Sequence, residues 1–256
     1  MSRPSVLNVE SNPMDFIAAQ GYRAADQFKA AFDALELTAD CHVAEPYAKN
    51  FKSCSLGQFD GVMLTGSGVN WVVNAKEASP LPTAVEQIFK IDLPVLGSCH
   101  GMQWAVVVLG GTARSSLNWL ETGVAKSTRK TDTGKSHLAH HDRAEVFVAP
   151  CIYRDEVDRL PTVAVHPAEN DHSSIQSFAY RAEGIDFWGA QYHLTCPTNA
   201  ISKFLRKGLG IFSAVPTFIY DLEVRDSDTE AAERLGTTCN ALQHGERMLE
   251  LANWLI

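Results

Sequence analysis

Leu93-Pro94-Val95-Leu96-Gly97-Ser98-Cys99-His100-Gly101-Met102, with the apolar run that continues to Leu109, decides how this chain is read. A short strand-like run gives way almost at once to a helix-like one, so the chain must turn sharply at Ser98-Cys99-His100. Glycine on either side, Gly97 and Gly101, relieves the crowding of so tight a reversal. The middle residue is presented at the tip, where the N–H groups of the following helix favour thiolate over thiol. The His100 amide is left available to hold a developing oxyanion. An isolated cysteine is usually a small buried hydrophobe. The strand, elbow and helix context instead makes Cys99 a candidate nucleophile.

Upstream, Val6-Leu7-Asn8-Val9 reads as a strand, and residues 22–38 carry the helical stripe Tyr22, Ala25, Phe28, Phe32 and Leu35. Gly61-Val62-Met63-Leu64 reads as a second strand, closed by Thr65-Gly66-Ser67-Gly68, and Pro82 to Lys90 as a helix with proline in its first turn. Strands alternating with helices predict an α/β fold: a doubly wound, mostly parallel central sheet flanked by helices. From Thr112 to Gln191 the runs Glu145–Val148, Ile175–Tyr180 and Phe187–Tyr192 are separated by polar loops, which predicts a small antiparallel sheet beside the main one. Thr229 to Ile256 reads as amphipathic helix, with Gly236 and Gly245 as interruptions. With no repeat or linker in sight, the expectation is a single domain over 1–256 with a helical extension from about 211.

The 256 residues carry a formal net charge of -8, which argues against nucleic acid or an anionic membrane as the main partner. No apolar run approaches the roughly 20 residues of a membrane span. The first apolar stretch ends at Glu10 and does not read as a secretion signal, so a cytoplasmic location is expected. The 6 cysteines (Cys41, Cys54, Cys99, Cys151, Cys196, Cys239) lack CxxC spacing and read as reduced thiols. His137-Leu138-Ala139-His140-His141-Asp142 holds ligand-type side chains but reads as a polar loop, and Gly66-Ser67-Gly68 lacks the third glycine of a dinucleotide fingerprint. Neither metal nor organic cofactor is expected.

A thiol nucleophile needs a base. Of the 9 histidines, His193 stands out because it ends the apolar strand Phe187-Trp188-Gly189-Ala190-Gln191-Tyr192. Strand ends at the carboxyl edge of an open parallel sheet are where such folds assemble sites.

These residues carry a resemblance. Gly97-Ser98-Cys99-His100-Gly101-Met102-Gln103 resembles the nucleophile motif Gly-x-Cys-x-Gly-x-Gln of class I glutamine amidotransferases, and Gly189-Ala190-Gln191-Tyr192-His193 their Gly-x-Gln-x-His. Thr65-Gly66-Ser67 is similar to their oxyanion loop. Glu121-Thr122-Gly123, Asp155-Glu156-Val157 and Gln176-Ser177-Phe178 fall where weaker landmarks of the family occur. The resemblance runs in order from about residue 60 to 200. It implies a thiol amidase in which Cys99 attacks the amide carbon and His193 moves protons. The backbone amides of Ser67 and His100 would form the oxyanion hole. Gly66, Gln103 and Arg154 would help bind the glutamyl part, and a γ-glutamyl thioester would be the intermediate.

The family follows its histidine with Pro-Glu, whereas this chain reads His193-Leu194-Thr195. Thr195 could accept the ring N–H and fix the tautomer without supplying charge. Asp171 or Glu183, by loop position, are the alternatives. Tyr153 stands where family members often have histidine, and Arg154 beside it suits a carboxylate. Trp71 or Trp119 could line a pocket for an apolar leaving group. The altered third member and the tryptophans favour a free-standing hydrolase of γ-glutamyl amides, including γ-glutamylated amines of amine catabolism. The alternatives are a glutaminase subunit feeding ammonia to a separate synthetase, and a catalytically silent binding module. The expected partners are a small γ-glutamyl amide or glutamine, and a synthetase or glutamine-synthetase-like ligase.

Overall fold

The computed structural model describes residues 3–48, 56–73, 75–208 and 211–255; Cys54 lies outside them. The strands are β1 (Ser5–Val9), β2 (Asp40–Ala44), β3 (Gly61–Leu64), β4 (Pro94–Ser98), β5 (Thr112–Ser115), β6 (Glu121–Lys130), β7 (Val146–Tyr153), β8 (Asp155–Arg159), β9 (Val165–Glu169), β10 (Ser177–Ala182) and β11 (Ile185–Ala190). Nine of them form one sheet in the order β2-β1-β3-β4-β11-β10-β9-β6-β7, and β5 pairs with β8 in a separate small sheet. From β2 to β11 the pairings are parallel; from β11 to β7 they are antiparallel. The polar-looped strands expected beside the main sheet therefore extend it. The small antiparallel sheet is the β5–β8 pair.

Helices Ala24–Ala34, Pro80–Ile88 and His100–Val108 cover the parallel half, turning Ala25, Phe28, Ala31 and Phe32, then Leu81, Ala84, Val85 and Ile88, into the core. Each fully buried Phe or Leu side chain contributes about 1.5–3 kcal/mol relative to exposure.

The glycines of the elbow are fixed by packing. A Cβ on Gly101 would lie 2.6 Å from Leu64 Cβ, and closer still to the Leu64 carbonyl. On Gly97 it would lie 2.7 Å from the Phe187 ring, and on Gly189 2.9 Å from Met102 Cγ. The helix His100–Val108 thus rests directly on β3, β4 and β11, and its first turn is held rigidly over their ends. Gly101→Ala is expected to lower stability by about 3 kcal/mol, because the obstacle is backbone that cannot rotate away. Chemical denaturation checks this, and an unchanged midpoint would contradict the packing.

The helical segment from Thr229, with its expected interruptions, is three short helices, Thr229–Arg234, His244–Arg247 and Leu249–Trp254. Gly236, at φ 72°, takes the left-handed conformation that ends the first. The third helix is pinned to the sheet by a buried polar cluster. Arg143 Nε donates to Glu250 Oε1 at 3.1 Å, and the Tyr192 hydroxyl donates to the same oxygen at 2.6 Å. His140 Nε2 lies 3.1 Å from that hydroxyl. His140 is 1% exposed, so this one histidine of the stretch read as a polar loop is a core contact, while Leu138, His141 and Asp142 are exposed. Among the described residues no three His, Cys, Asp or Glu side chains are grouped to hold a metal ion, and no helix is long and apolar enough to cross a membrane.

Candidate active site

β4 and β11 run side by side and end together, with Ser98 opposite Ala190. The Cys99 N–H continues this pairing by donating to the Ala190 carbonyl at 2.7 Å. Cys99 itself sits at φ 51°, ψ -110°, immediately before the helix His100–Val108. A non-glycine residue held there stores about 1–3 kcal/mol of backbone strain, and persists only because the packed elements on both sides enforce it. His193 is anchored three residues past β11 by its own N–H, which donates to the Pro150 carbonyl at 2.8 Å.

Cys99 and His193 meet at one glycine. A Cβ built on Gly66 would lie 3.5 Å from Cys99 Cβ and 3.6 Å from His193 Cε1, so both side chains are in van der Waals reach of the loop after β3. The Ile152 backbone carbonyl faces the His193 ring and draws its titration up. His193 Nε2 is buried with no hydrogen-bond partner among the described residues. Since a carbonyl only accepts, the ring nitrogen that faces Ile152 carries the proton and the other presents a lone pair.

Thr195 lines the cavity beside His193, and among the described residues no hydrogen bond joins its hydroxyl to the ring; the polar group that acts on the imidazole is the Ile152 main chain. The other candidates are placed elsewhere. Asp171 is exposed and pairs with Arg129 at 2.8 Å, and Glu183 occupies the exposed turn between β10 and β11, at the far end of the strand that delivers His193.

Burial pushes the Cys99 thiol up to about 12, with the Asp155 carboxylate adding to the effect and the His100 backbone N–H opposing it. Burial also pushes the His193 imidazole down to about 4, against the opposing pull of the Ile152 carbonyl. The resting pair is thus neutral thiol and neutral imidazole. Gln191 Nε2 donates to Cys99 Sγ at 3.7 Å. His100 is committed elsewhere: its Nε2 accepts from Trp104 Nε1 at 3.0 Å, which puts the ring proton on Nδ1, facing Gln103 Oε1 at 3.3 Å.

The loop carrying Ser67 is buttressed by residues that the sequence did not single out. Asn12 Oδ1 accepts from the Ser67 hydroxyl at 2.8 Å and the Gly68 N–H at 3.0 Å. Glu10 in turn accepts from the Asn12 side chain at 2.8 Å and from the Ala25 N–H at 2.9 Å. Glu10 is a fully buried carboxylate directly after a strand, and that is the signal that would have found it.

A narrow cleft of about 30 Å³ is lined by Cys99, His100, Gln103, Arg154, Asp155 and Trp71. Arg154 forms a fork with Asp155, at 2.6 and 3.0 Å, and donates to the Asn70 carbonyl at 2.8 Å. Gln103 Nε2 donates to the Asp155 carbonyl at 2.6 Å. Trp119 is 57% exposed and lies outside the lining. Beneath the cleft the weaker landmarks converge: the Tyr153 hydroxyl donates to Glu121, and Gln176 Nε2 donates to both, at 2.7 and 3.0 Å. On the His193 side a cavity of about 660 Å³ opens, lined by Gly66, Ser67, Ser98, His193 and Thr195 at its inner end. Ser67, Ile152 and Phe212 line both spaces.

Residues 28–198 match the family model of glutamine amidotransferase class I. The γ-glutamyl-L-1-hydroxyisopropylamide hydrolase of a Pseudomonas species is 31% identical over 196 residues, 73% of this chain and 64% of that protein. The glutamine-hydrolysing GMP synthase of Treponema denticola is 32% identical over 149 residues, 57% of this chain and 26% of that protein. The chain thus spans less than two thirds of the length of these curated relatives. Among solved structures, a glutamine amidotransferase from Thermotoga maritima superposes with a TM-score of 0.67 at 18% identity, covering 100% of this chain and 97% of that one. One from Methylobacillus flagellatus gives 0.68 at 13% identity, covering 99% and 95%. At such identities the likeness is one of fold.

Proposed function

Because this chain belongs to the class I glutamine amidotransferase family, we propose that it hydrolyses a γ-glutamyl amide to glutamate and an amine, with Cys99 as nucleophile and His193 as proton carrier. The observation that supports this best is the meeting of Cys99 and His193 at Gly66. As substrate binds, the imidazole of His193 takes the thiol proton while sulfur attacks the γ-carbonyl carbon. The backbone N–H groups of Ser67 and His100 receive the oxyanion. The C–N bond then breaks, the amine departs with the proton from His193, and a γ-glutamyl thioester remains. Water, deprotonated by the same imidazole, attacks the thioester, and glutamate leaves as the thiol is restored. Gly66, Gln103 and the Arg154–Asp155 fork are the candidate contacts for the glutamyl part. A cleft of about 30 Å³ holds little more than a water molecule, so entry of that part requires the cleft to widen.

The test is hydrolysis of γ-glutamyl alkylamides and anilides by the purified chain alone. Release of ammonia from free glutamine, and only with a second protein present, is the result that would replace this reading. The GMP synthase relatives favour that second reading, a glutaminase subunit working with a synthetase.

The pH dependence follows from burial. The imidazole must be neutral to accept the thiol proton, and burial has lowered its titration from 6.5 to about 4. Activity is therefore expected to stay level as the pH falls past 6.5, and to be lost only towards 4. Thr195→Val is expected to leave that acid limb in place. A displacement of the limb by more than about half a pH unit, worth about 0.7 kcal/mol, would mean that Thr195 and not Ile152 orients the ring.

A further inference from the structure

Resting on the hydrolase reading, we infer that the cavity beside His193 holds the amine half of the substrate, and that this amine has an apolar body ending in an anionic group such as a carboxylate. In an amide hydrolysis the general acid must touch the departing nitrogen, so the leaving group lies on the imidazole side of the sulfur. That side opens into about 660 Å³, whereas ammonia needs no more room than a water molecule. The volume falls within the roughly 300–1,000 Å³ of pockets that enclose small organic ligands.

The chemistry of the walls describes the guest. Phe28, Ile201, Phe204 and Phe212 are buried and line the cavity, giving an apolar sleeve. Farther out come Arg23, Lys203, Arg206 and Lys207, against the single carboxylate of Asp26. Arg23 pairs with Glu45 and Arg206 with Glu223, both outside the lining. Lys207 donates to Gln20 at 2.9 and 3.0 Å, and Lys203 has no carboxylate partner among the described residues. The lysines thus leave uncompensated positive charge at the outer end of an apolar passage whose inner end is His193. A terminal anion meets that charge, and a terminal ammonium is repelled.

Three amides of equal length test this: γ-glutamyl-4-(carboxymethyl)anilide, γ-glutamyl-4-methylanilide and γ-glutamyl-4-(aminomethyl)anilide. The methylene insulates the scissile nitrogen from each end group. The carboxymethyl compound is expected to exceed the methyl compound in kcat/KM by about three- to tenfold, as partly exposed charge contacts allow, and the aminomethyl compound to fall below both. The preference should shrink as salt screens the lysines. In Lys203→Glu the ratio of carboxymethyl to methyl turnover should fall to one or below. Equal turnover of the three, or preference for the aminomethyl compound, overturns the inference and leaves the hydrolase reading standing, since the methylanilide is still cleaved. If none is cleaved while a glutamine-like electrophile still labels Cys99, the hydrolase reading falls and the inference falls with it.

Discussion

Cys99→Ala is expected to lower turnover of any γ-glutamyl amide by about four to six orders of magnitude while leaving the fold intact. The size of the effect follows from the chemistry: without the sulfur there is no acyl-enzyme, and the remaining oxyanion donors and binding contacts give only a small residual rate. Alanine fits the site because Cys99 is already enclosed, 3% exposed, and removing sulfur deletes one atom from a pocket closed by Gln191 and Gly66. The measurement is steady-state amine release, with thermal unfolding as the control. A variant that unfolds at the wild-type temperature yet keeps more than about 1% of activity would mean that another group is the nucleophile.

The second large effect lies far from the sulfur. Glu250→Ala is expected to destabilise the protein by about 3–5 kcal/mol, because it leaves the Arg143 guanidinium, 4% exposed, without its buried counter-charge and with only the exposed Glu246 carboxylate at 4.0 Å. Against burial, Arg143, with His140 and the Tyr192 hydroxyl, holds the Glu250 carboxyl below the ordinary carboxylate range. A group whose titration is lowered by folding contributes stability above its unfolded value and loses it as the pH falls, so the wild-type advantage over Glu250→Ala should narrow below about 4.5. Tyr192 is the residue before His193, and the same variant should reduce activity through a loosened strand end. Urea denaturation of both proteins at neutral and acid pH measures the difference. A difference below about 1 kcal/mol would contradict the role given to the pair.

How much the sequence disclosed depended on the range of the signal. The elbow was legible because its constraints are local: strand, cysteine and paired glycines lie within a few residues, and the structure gives Cys99 the strained φ of 51° that such a turn requires. β3 falls on Gly61–Leu64 as the pattern indicated, since an apolar run ended by a glycine turn has few alternatives. β6 was not anticipated. Glu121–Lys130 is largely polar, is broken by Gly123 and a register shift near Ala125, and becomes a strand only because β7 and β9 pair with it. The helix Thr198–Arg206 was missed as well, although it supplies Ile201, Lys203 and Phe204 to the cavity.

At the site, sequence could propose His193 from its place at a strand end, but not what holds the ring. The acceptor is a backbone carbonyl, and backbone carbonyls are chemically alike at every position. The search for a substitute acid, through Thr195, Asp171 and Glu183, was directed at side chains, whereas the polar group that acts on the ring is main chain. Nor could one sequence reveal that Arg143 and Glu250, separated by 107 positions, share a hydrogen bond. Pairings of that length are set by the sheet order, which sequence patterning does not specify.

The most direct test of the proposed chemistry is rapid acid quenching of the protein during turnover of a γ-glutamyl anilide, followed by mass spectrometry of the Cys99 peptide. The expected result is a γ-glutamyl adduct on Cys99 that forms as aniline is released and decays as glutamate appears. Aniline release at the full rate with that peptide unmodified throughout, or with the adduct on another residue, would contradict it.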